Sequence, residues 1–234
     1  PTQAGLLSML QTQYEASDLE DLGLLKIDFL GIRNLGMIAE TIQLIEENEG
    51  KKIDVYKLPL DDEKTFKLLK EVKTLGIFQL ESQGMMNLMG QLQIDKFSDI
   101  ATCISLFRPG PMENIPAFLR RRKKEERITY LDLDLIPILK STEGIIVYQE
   151  QIMQIANKFA GYSLGEADVL RRAVSKKSRS ILEKERTKFV KGVINQGYSQ
   201  ELGDEIYDYI VKFANYGFNK SHAVAYSYVA YWMA

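Results

Sequence analysis

The sequence predicts a mainly α fold of many helices with a few short β-strands. Through most of its 234 residues, apolar side chains recur every three or four positions, the spacing that lines one face of a helix. An apolar segment near the start has the alternation of a strand instead, and the segment that begins at Glu143 is predicted as a short apolar strand or turn. With 45% hydrophobic and 26% charged residues and a net charge of −2, the composition is that of an ordinary globular domain.

The first predicted element is the strand in the segment Leu-Leu-Lys-Ile-Asp-Phe-Leu-Gly, residues 24–31. Successive side chains of a strand point to opposite faces, so Leu25 and Ile27 would lie on one face and Lys26 and Asp28 on the other. Its apolar neighbours would hold Asp28 rigidly, in surroundings where an unpaired carboxylate is costly. We therefore expect either the ammonium of Lys26 or a metal ion to compensate its charge.

Helices are predicted for most of the remaining chain. Gly50 ends the first of them, and the rigid turn Arg108-Pro-Gly-Pro follows another. The predicted helices cover residues 34–49, 65–72, 84–91, 97–106, 149–159, 163–174, 179–195 and 200–213, and a last helix has Ser221 as its N-cap.

Several classes of protein are excluded by the composition. No apolar run approaches the roughly 20 residues that a membrane-spanning helix needs, so no membrane is expected as a partner. The single cysteine, Cys103, excludes a disulfide framework and makes the cytoplasm the default compartment. The chain starts at Pro1 and stops at Ala234 within a predicted helix that has no capping signal, so we expect a segment of a longer protein.

Positive charge is concentrated in two stretches. Residues 106–124 contain six basic residues and one acidic one, and residues 168–191 contain nine and three. Basic stretches in a slightly acidic chain suggest a localised site for a polyanion. The candidate nucleic-acid-binding residues in them are Arg120, Arg121, Arg122, Lys123, Lys124 and Lys177.

The predicted helix 163–174 has an apolar face and a basic face. Arg172 and Lys176 lie four residues apart opposite the apolar face, with Arg171 between the two faces. A guanidinium beside an ammonium suits a triphosphate, because Arg binds phosphate oxygens with two hydrogen bonds and Lys acts as a point charge. A solvated helix face is the plainer interpretation. The apolar face comprises Ala167, Leu170 and Val174.

A second candidate anion site lies where a glycine-containing turn enters the last helix, in residues 215–226. Unpaired N–H groups at the start of a helix, with Lys220 and His222 beside them, would attract an anion. A capped core helix is the alternative, and a hydrolase built on Ser221 and His222 lacks a placed acid. Rings on which a nucleobase could stack are those of Tyr216, Phe218 and Tyr226.

Other polar positions are less specific. Arg108, on its stiff turn, suits a positioned phosphate contact, or it is an ordinary surface arginine after a helix stop. Asp132 and Asp134 have the spacing of a metal-binding pair on a strand, but the surrounding prolines and charges favour a loop. The sequence assigns no role to Gln79, Glu81 or residues 149–151.

Six motifs occur in the order known for one family. Taken together they closely resemble the alpha subunit of bacterial DNA polymerase III, a C-family replicative polymerase, over essentially all of the chain. The motifs are Leu-Lys-Ile-Asp-Phe-Leu-Gly, Ile-Phe-Gln-Leu-Glu-Ser-Gln-Gly-Met, Phe-Arg-Pro-Gly-Pro, Val-Tyr-Gln-Glu-Gln-Ile-Met, Ala-Asp-Val-Leu-Arg-Arg-Ala and Tyr-Gly-Phe-Asn-Lys-Ser-His-Ala-Val-Ala-Tyr.

The resemblance implies two domains. Residues 1–32 would be the C-terminal part of the palm, where Asp28 is the third catalytic carboxylate and a ligand of Mg²⁺, with Lys26 facing the nucleotide phosphates. Residues 33–234 would be the fingers domain, truncated at its C-terminus. The family's first two catalytic aspartates lie upstream, and no such pair precedes Asp28, so the two-metal Mg²⁺ site is incomplete. The nucleotide-binding residues implied are Arg171, Arg172, Lys176, Lys220, His222 and, less firmly, Arg108.

The reaction implied is template-directed, Mg²⁺-dependent addition of deoxynucleotides to a primer 3′ end. The implied partners are a deoxynucleoside triphosphate, primer–template DNA, the remaining polymerase domains and, through missing regions, replisome subunits including the sliding clamp. We expect this segment to be inactive alone. The alternatives are a non-catalytic helical module that binds phosphates or nucleic acid, with steep salt dependence and indifference to deoxynucleotides, and an inert helical scaffold.

Overall fold

The computed structural model describes residues 11–28, 31–175, 179–214 and 217–234. The fold is mainly α, as predicted. In this part of the chain the helices are α1 (Ala16–Asp21), α2 (Arg33–Glu49), α3 (Glu63–Lys70), α4 (Gln83–Leu92), α5 (Phe97–Leu106), α6 (Ile115–Arg122), α7 (Ile136–Leu139), α8 (Gln149–Ala160), α9 (Leu164–Ser175), α10 (Arg179–Asn195), α11 (Gln200–Ala214) and α12 (Lys220–Met233).

Two groups of helices surround one hydrophobic core. Helix α5 is buried along almost its whole length and packs against α4 and α12. Helices α8, α9, α10 and α11 pack on one another, with the rings of Phe159, Phe189 and Tyr207 fully buried among them. The segment between α7 and α8 joins the groups, since Ile145, Ile146 and Val147 belong to the same core.

Helix α9 is formed as its sequence pattern predicts. Ala167, Leu170 and Val174 are buried, which confirms the apolar face. Ser163 and Glu166 cap the helix reciprocally: the Glu166 N–H donates to the Ser163 hydroxyl over 3.3 Å, and the Glu166 carboxylate accepts from the Ser163 N–H over 3.0 Å. The hydrogen bonds that the carboxylate accepts from the Ser163 N–H and hydroxyl, together with the Lys188 ammonium, lower the pKa of Glu166 to about 2.

Residues 24–28 do not form the predicted buried strand. They have no regular secondary structure, and Leu25 is 83% and Ile27 62% exposed. A strand needs a neighbour to accept its hydrogen bonds, and the described residues place none beside this segment. Elsewhere in the described part of the chain, Tyr148 and Phe218 pair in an isolated parallel β-bridge. Residues 29 and 30 lie outside the described part.

Two helices, α6 and α7, lie in segments where no helix was predicted. Pro116 stands in the first turn of α6 and Pro137 in that of α7. Proline is well tolerated there, because its missing N–H would have no partner within the helix and its φ is already helical. Helix α1 lies in a polar segment where no helix was predicted. No helix in the described residues is long and apolar enough to cross a membrane.

Candidate functional site

The first turn of α12 is capped by two side chains. The Asn219 side-chain oxygen accepts the backbone N–H of His222 over 2.8 Å. The Glu150 carboxylate, from the start of α8, accepts the N–H of Lys220 with both oxygens, over 3.1 and 3.0 Å. The N-cap is therefore Asn219 and the prediction of Ser221 was wrong, because the helix begins earlier, where Asn219 can reach a free N–H.

These caps change the character of the predicted anion site. N–H groups at a helix start attract negative charge, and here the Glu150 carboxylate already supplies it. The Lys220 side chain remains exposed, with its ammonium 5.6 Å from the centroid of the Tyr148 ring. The positive group offered to a ligand is thus the Lys220 side chain rather than the backbone beside it.

Rings line one side of α12. The exposed His222 ring lies 4.0 Å from that of Tyr226 and 5.4 Å from that of Phe218, between centroids. The Tyr226 ring lies 5.0 Å from Phe78, in the loop before α4. We call these four rings the aromatic row. Phe218 and Tyr226 were predicted as stacking positions, and Tyr216 lies outside the described residues.

Arg108 meets the aromatic row at its Phe218 end. Its guanidinium carbon lies 3.8 Å from the centroid of the Phe218 ring, and the side chain is exposed to solvent. The Arg108-Pro-Gly-Pro turn holds it there, with Gly110 at a φ of 98°, which favours glycine. The structure therefore joins Arg108 to the start of α12, a proximity that sequence spacing does not give.

A cleft of about 440 Å³ opens between this turn and the loop before α4. Arg108 and Phe78 line it, together with Gln79 and Glu81, to which the sequence assigned no role. Gln79 has a φ of 65°, a conformation that non-glycine residues rarely adopt and that often marks a functional loop. Sequence reasoning missed Phe78 and Gln79, since nothing but their motif distinguishes them from a hydrophobic turn.

The two arginines of α9 share one carboxylate. Arg171 donates from two nitrogens to one oxygen of Asp168, over 2.9 and 2.7 Å, and Arg172 lies 3.1 Å from the other oxygen. The Arg171 hydrogen bonds hold the pKa of Asp168 below its usual range. Arg172 is 61% exposed, as its position opposite the apolar face predicted. Lys176 and Lys177 lie outside the described residues.

Basic residues 120–124 are not a uniform cationic patch. The guanidinium groups of Arg120 and Arg121 both bind the Glu126 carboxylate, over 2.9 and 2.8 Å, and lower its pKa. Arg121 also donates to the backbone oxygen of Glu143. These intramolecular bonds offset part of the local positive charge, whereas Lys123 and Lys124 are exposed.

Arg122 is a structural ion-pair partner. It donates to Asp99 over 2.7 Å and lies near Asp95 and Glu143. Asp99 is buried on α5, which raises the pKa of its carboxyl, and the Arg122 guanidinium opposes that rise. A guanidinium committed in this way compensates a buried charge of the fold.

Lys26 and Asp28 form an ion pair. This was one of the two predicted ways of compensating the Asp28 charge, the other being a metal ion. Their charged groups are 2.7 Å apart and both side chains are exposed. The hydrogen bond to Asp28 raises the pKa of Lys26. Among the described residues, no three or more His, Cys, Asp or Glu side chains form a group that could hold a metal ion. A single carboxylate bound to an ammonium does not fit a two-metal site.

Asp132 and Asp134 have structural partners. Asp132 accepts the N–H of Asp134 over 2.8 Å and so starts a short 3₁₀ turn. Asp134 accepts the Tyr198 hydroxyl over 2.5 Å and lies 3.2 Å from the Lys158 ammonium, contacts that lower its pKa. They support the structural interpretation of these two carboxylates over the metal pair.

Comparison with known proteins gives one consistent family. A model described as bacterial DNA polymerase III alpha subunit finger domain matches residues 34–197. The chain is 53% identical over 229 residues to DNA polymerase III subunit alpha of Bacillus subtilis (strain 168), which covers 98% of this chain and 20% of that protein.

Two further relatives carry the same name. The Halalkalibacterium halodurans protein is 53% identical over 223 residues, covering 95% of this chain and 20% of the relative. The Staphylococcus aureus (strain COL) protein is 50% identical over 225 residues, covering 96% and 21%. The chain therefore spans about a fifth of the length of the relatives it matches.

Proposed function

This chain belongs to the family of bacterial DNA polymerase III alpha subunit finger domains, and from that membership we propose that it positions deoxynucleoside triphosphates and DNA within a replicative polymerase. The reaction would be attack of a primer 3′-hydroxyl on the α-phosphate of the nucleotide, directed by a template. Residues 33–234 would form the fingers and residues 1–32 the end of the palm. The compartment would be the bacterial cytoplasm.

The main support for this proposal is the contact between the Arg108 guanidinium and the ring of Phe218, which lies just before α12. Arg108 and His222 are exposed beside the Phe218 ring, and Lys220, two residues after Phe218, is exposed with its ammonium 5.6 Å from the centroid of the Tyr148 ring. Guanidinium and ammonium groups suit phosphate oxygens, and exposed ring faces suit a nucleobase or its sugar. The cleft beside Arg108 gives a nucleotide room to enter.

Helix α9 would supply a second set of phosphate contacts. Arg172 is exposed, and Asp168 holds the guanidinium groups of Arg171 and Arg172 in place on one face. Lys176, four residues after Arg172 in the sequence, is proposed to join them. Orientation and charge neutralisation are most of what protein side chains contribute to phosphoryl transfer.

DNA contacts are proposed for the exposed basic groups. Lys123 and Lys124 are the strongest candidates between residues 120 and 124, with Lys177 beyond α9. Arg120 would contribute through the part of its exposed guanidinium that Glu126 leaves free, and Arg121 through the smaller part that Glu126 and the Glu143 backbone oxygen leave free. For Arg122 the proposed role is indirect, because its ion pair with Asp99 fixes α6 against α5.

Asp28 is proposed as one ligand of Mg²⁺ in the longer polymerase, with Lys26 beside the nucleotide phosphates. The other metal-binding carboxylates, the thumb and the surfaces for replisome subunits and the sliding clamp would belong to the rest of that protein. We expect this chain alone not to extend a primer, because one carboxylate cannot hold two metal ions.

The test is single-nucleotide incorporation by a full-length alpha subunit that contains this chain. Arg172→Ala should raise the KM for the deoxynucleotide by the equivalent of roughly 1.5–3 kcal/mol, since a charge-assisted hydrogen bond is lost. Arg172→Lys, which keeps the charge, should fall between, and Lys123→Ala should leave this KM unchanged. An unchanged KM in Arg172→Ala would leave Arg172 as part of a solvated helix face. DNA binding by this chain that does not respond to deoxynucleotides would support the non-catalytic module.

A further inference from the structure

The segment 147–151, Val-Tyr-Gln-Glu-Gln, is held by a buried amide. The side-chain oxygen of Gln151 accepts the N–H groups of Val147 and Tyr148, each over 2.9 Å. Its nitrogen donates to the Ile138 backbone oxygen over 3.1 Å and to the Thr142 hydroxyl over 2.8 Å. Gln151 thereby fixes the backbone from which Glu150 projects.

The same segment holds the approach to α12. The Phe218 N–H donates to the Val147 oxygen over 2.9 Å, and the Gln149 N–H donates to the Phe218 oxygen over 3.0 Å. Gly217 lies so close that an added Cβ would be 3.4 Å from the backbone of Gln149. The backbone of residues 217 and 218 is therefore docked directly on the start of α8.

Glu150 completes this docking at the next turn of chain. Its two carboxylate oxygens accept the Lys220 N–H, so the first residue of α12 is fixed to the first turn of α8. Phe218 and Lys220 lie on either side of Asn219, which caps His222. One short segment thus sets the backbone that carries Phe218, Lys220 and His222, and through the Phe218 ring it also sets Arg108.

We infer that Glu150 is a positioning residue of the nucleotide site: through the Lys220 N–H it fixes the first turn of α12, and with it the placement of Lys220 and His222 toward a deoxynucleoside triphosphate. This inference rests on the function proposed above. It gives a role to a carboxylate that stands beside a site for a polyanion, where a free negative charge would weaken binding.

Substitutions at Glu150 can separate the role of its side chain as a hydrogen-bond acceptor from the role of its negative charge. Glu150→Gln keeps an oxygen that can accept the Lys220 N–H and removes the negative charge. Glu150→Ala removes both, and Glu150→Asp keeps the charge but withdraws the oxygens from that N–H. A positioning role therefore requires Gln to replace Glu better than Asp or Ala does.

The experiment is single-nucleotide incorporation by the full-length alpha subunit, with KM and kcat measured separately and thermal unfolding recorded for each variant. In Glu150→Ala we expect the deoxynucleotide KM to rise about fivefold or more with kcat within about twofold of the parent, since misplaced contacts weaken ground-state binding. Glu150→Asp should show an intermediate rise in KM, and Glu150→Gln should stay within about twofold.

Glu63→Ala is the matched control. Glu63 is also an acid in the first turn of a helix, α3, and its replacement removes the same favourable interaction with the helix dipole. It should leave KM unchanged, so a rise limited to the Glu150 variants reports the contact with α12.

Any of three KM results would overturn the inference: a parental KM in Glu150→Ala, a parental KM in Glu150→Asp if the alanine variant does not fold, or an equal rise in KM in Glu150→Gln and Glu150→Ala. A fall in kcat that follows a loss of folded protein would also overturn it, because that is a purely structural effect. If the parent itself shows no saturable dependence on deoxynucleotide, the proposed function fails together with the inference.

Discussion

The guanidinium of Arg108 lies over the ring of Phe218, with 3.8 Å between its central carbon and the ring centroid. The two residues belong to motifs far apart in the chain, the Phe-Arg-Pro-Gly-Pro turn and the glycine-containing turn before α12. Their contact makes one site of two segments that the sequence marks separately. It also places a positive charge at the end of the aromatic row, where a nucleotide phosphate is proposed to bind.

Phe218→Leu tests this contact. It keeps an apolar side chain on the docked backbone and removes the ring face that orients Arg108. Losing a cation–π contact at an exposed site costs about 0.5–1 kcal/mol, and we expect the deoxynucleotide KM to rise about two- to fivefold in the full-length subunit. Phe218→Tyr keeps the ring face and should resemble the parent. Equal KM values in the Leu and Tyr variants would show that the contact between Arg108 and the Phe218 ring does not contribute to nucleotide binding.

Arg122→Ala should destabilise the fold strongly. The change leaves the buried Asp99 carboxylate without its guanidinium, and breaking a buried ion pair from one side costs about 3–5 kcal/mol. Chemical denaturation of this chain measures the loss in the free energy of unfolding. Lys123→Ala, the exposed neighbour, should change it by less than about 0.5 kcal/mol. If both variants change the free energy of unfolding by a similarly small amount, Arg122 is an ordinary basic surface residue and not a structural ion-pair partner.

The ion pair between Arg122 and Asp99 could not be predicted by counting charges along the chain. The excess of basic residues in 106–124 is real, but acids that lie outside that stretch, Asp99 on α5, Glu126 and Glu143, fold onto three of its arginines. Neutralisation of this kind depends on tertiary contacts. Arg120, Lys123 and Lys124 keep the exposed character that the local count implied for all five, whereas Arg121 and Arg122 are largely covered.

The capping carboxylate of Glu166 predicts a pH dependence of stability. Its folded-state pKa is lowered to about 2, below the ordinary glutamate value of roughly 4.3. A lowered carboxyl pKa stabilises the folded state above the unfolded pKa, and that contribution is lost as the pH falls toward the folded pKa. Glu166→Gln should therefore lower the Tm at pH 7, and the difference from the parent should shrink as the pH falls from about 4.3 toward 2.

Thermal unfolding at pH 7 and at pH values below about 4 measures this difference, and Glu63→Gln serves as the control for removing an exposed acid. A Tm difference that stays constant over the whole range would contradict the assignment of the low pKa to the Ser163 and Lys188 contacts.

Asp28→Asn addresses the proposed metal ligand. In the full-length subunit we expect the substitution to abolish turnover and to spare DNA binding, since a neutral amide is a poor ligand for Mg²⁺. Primer extension and a DNA-binding titration on the same preparation give both readouts. Asp18→Asn, on the short exposed helix α1, should retain full turnover. Near-normal turnover in Asp28→Asn would show that Asp28 is not a ligand of the catalytic metal ion.

The helices were largely predictable because their signals are local. Helix α5 has the predicted bounds, 97–106, and α9 (Leu164–Ser175) lies within one residue of the predicted 163–174 at each end. The segment 24–28 was not, because its alternation describes a strand only when another strand lies beside it. The predicted N-cap at Ser221 failed by two residues, since Asn219 and Glu150 together allow α12 to begin earlier.

The candidate site was predictable as a set of residues and not as an arrangement. The motifs give Arg108, Lys220 and His222 individually, but their proximity follows from the docking of Phe218 on the start of α8. Glu150 had no assigned role, because a glutamate in the first turn of a helix is ordinary in sequence. Its contact with Lys220 is long-range and becomes visible only in the fold.

The measurement that tests the central claim most directly is the deoxynucleotide KM of Arg108→Ala, Lys220→Ala and the double variant, in single-nucleotide incorporation by the full-length subunit. If both residues bind one nucleotide, each single substitution should raise KM by about tenfold, the equivalent of a lost charge-assisted contact. The double variant should then deviate from the product of the two effects, because the contacts share a ligand. Parental KM values in all three variants, with DNA binding intact, would contradict a nucleotide site at the start of α12.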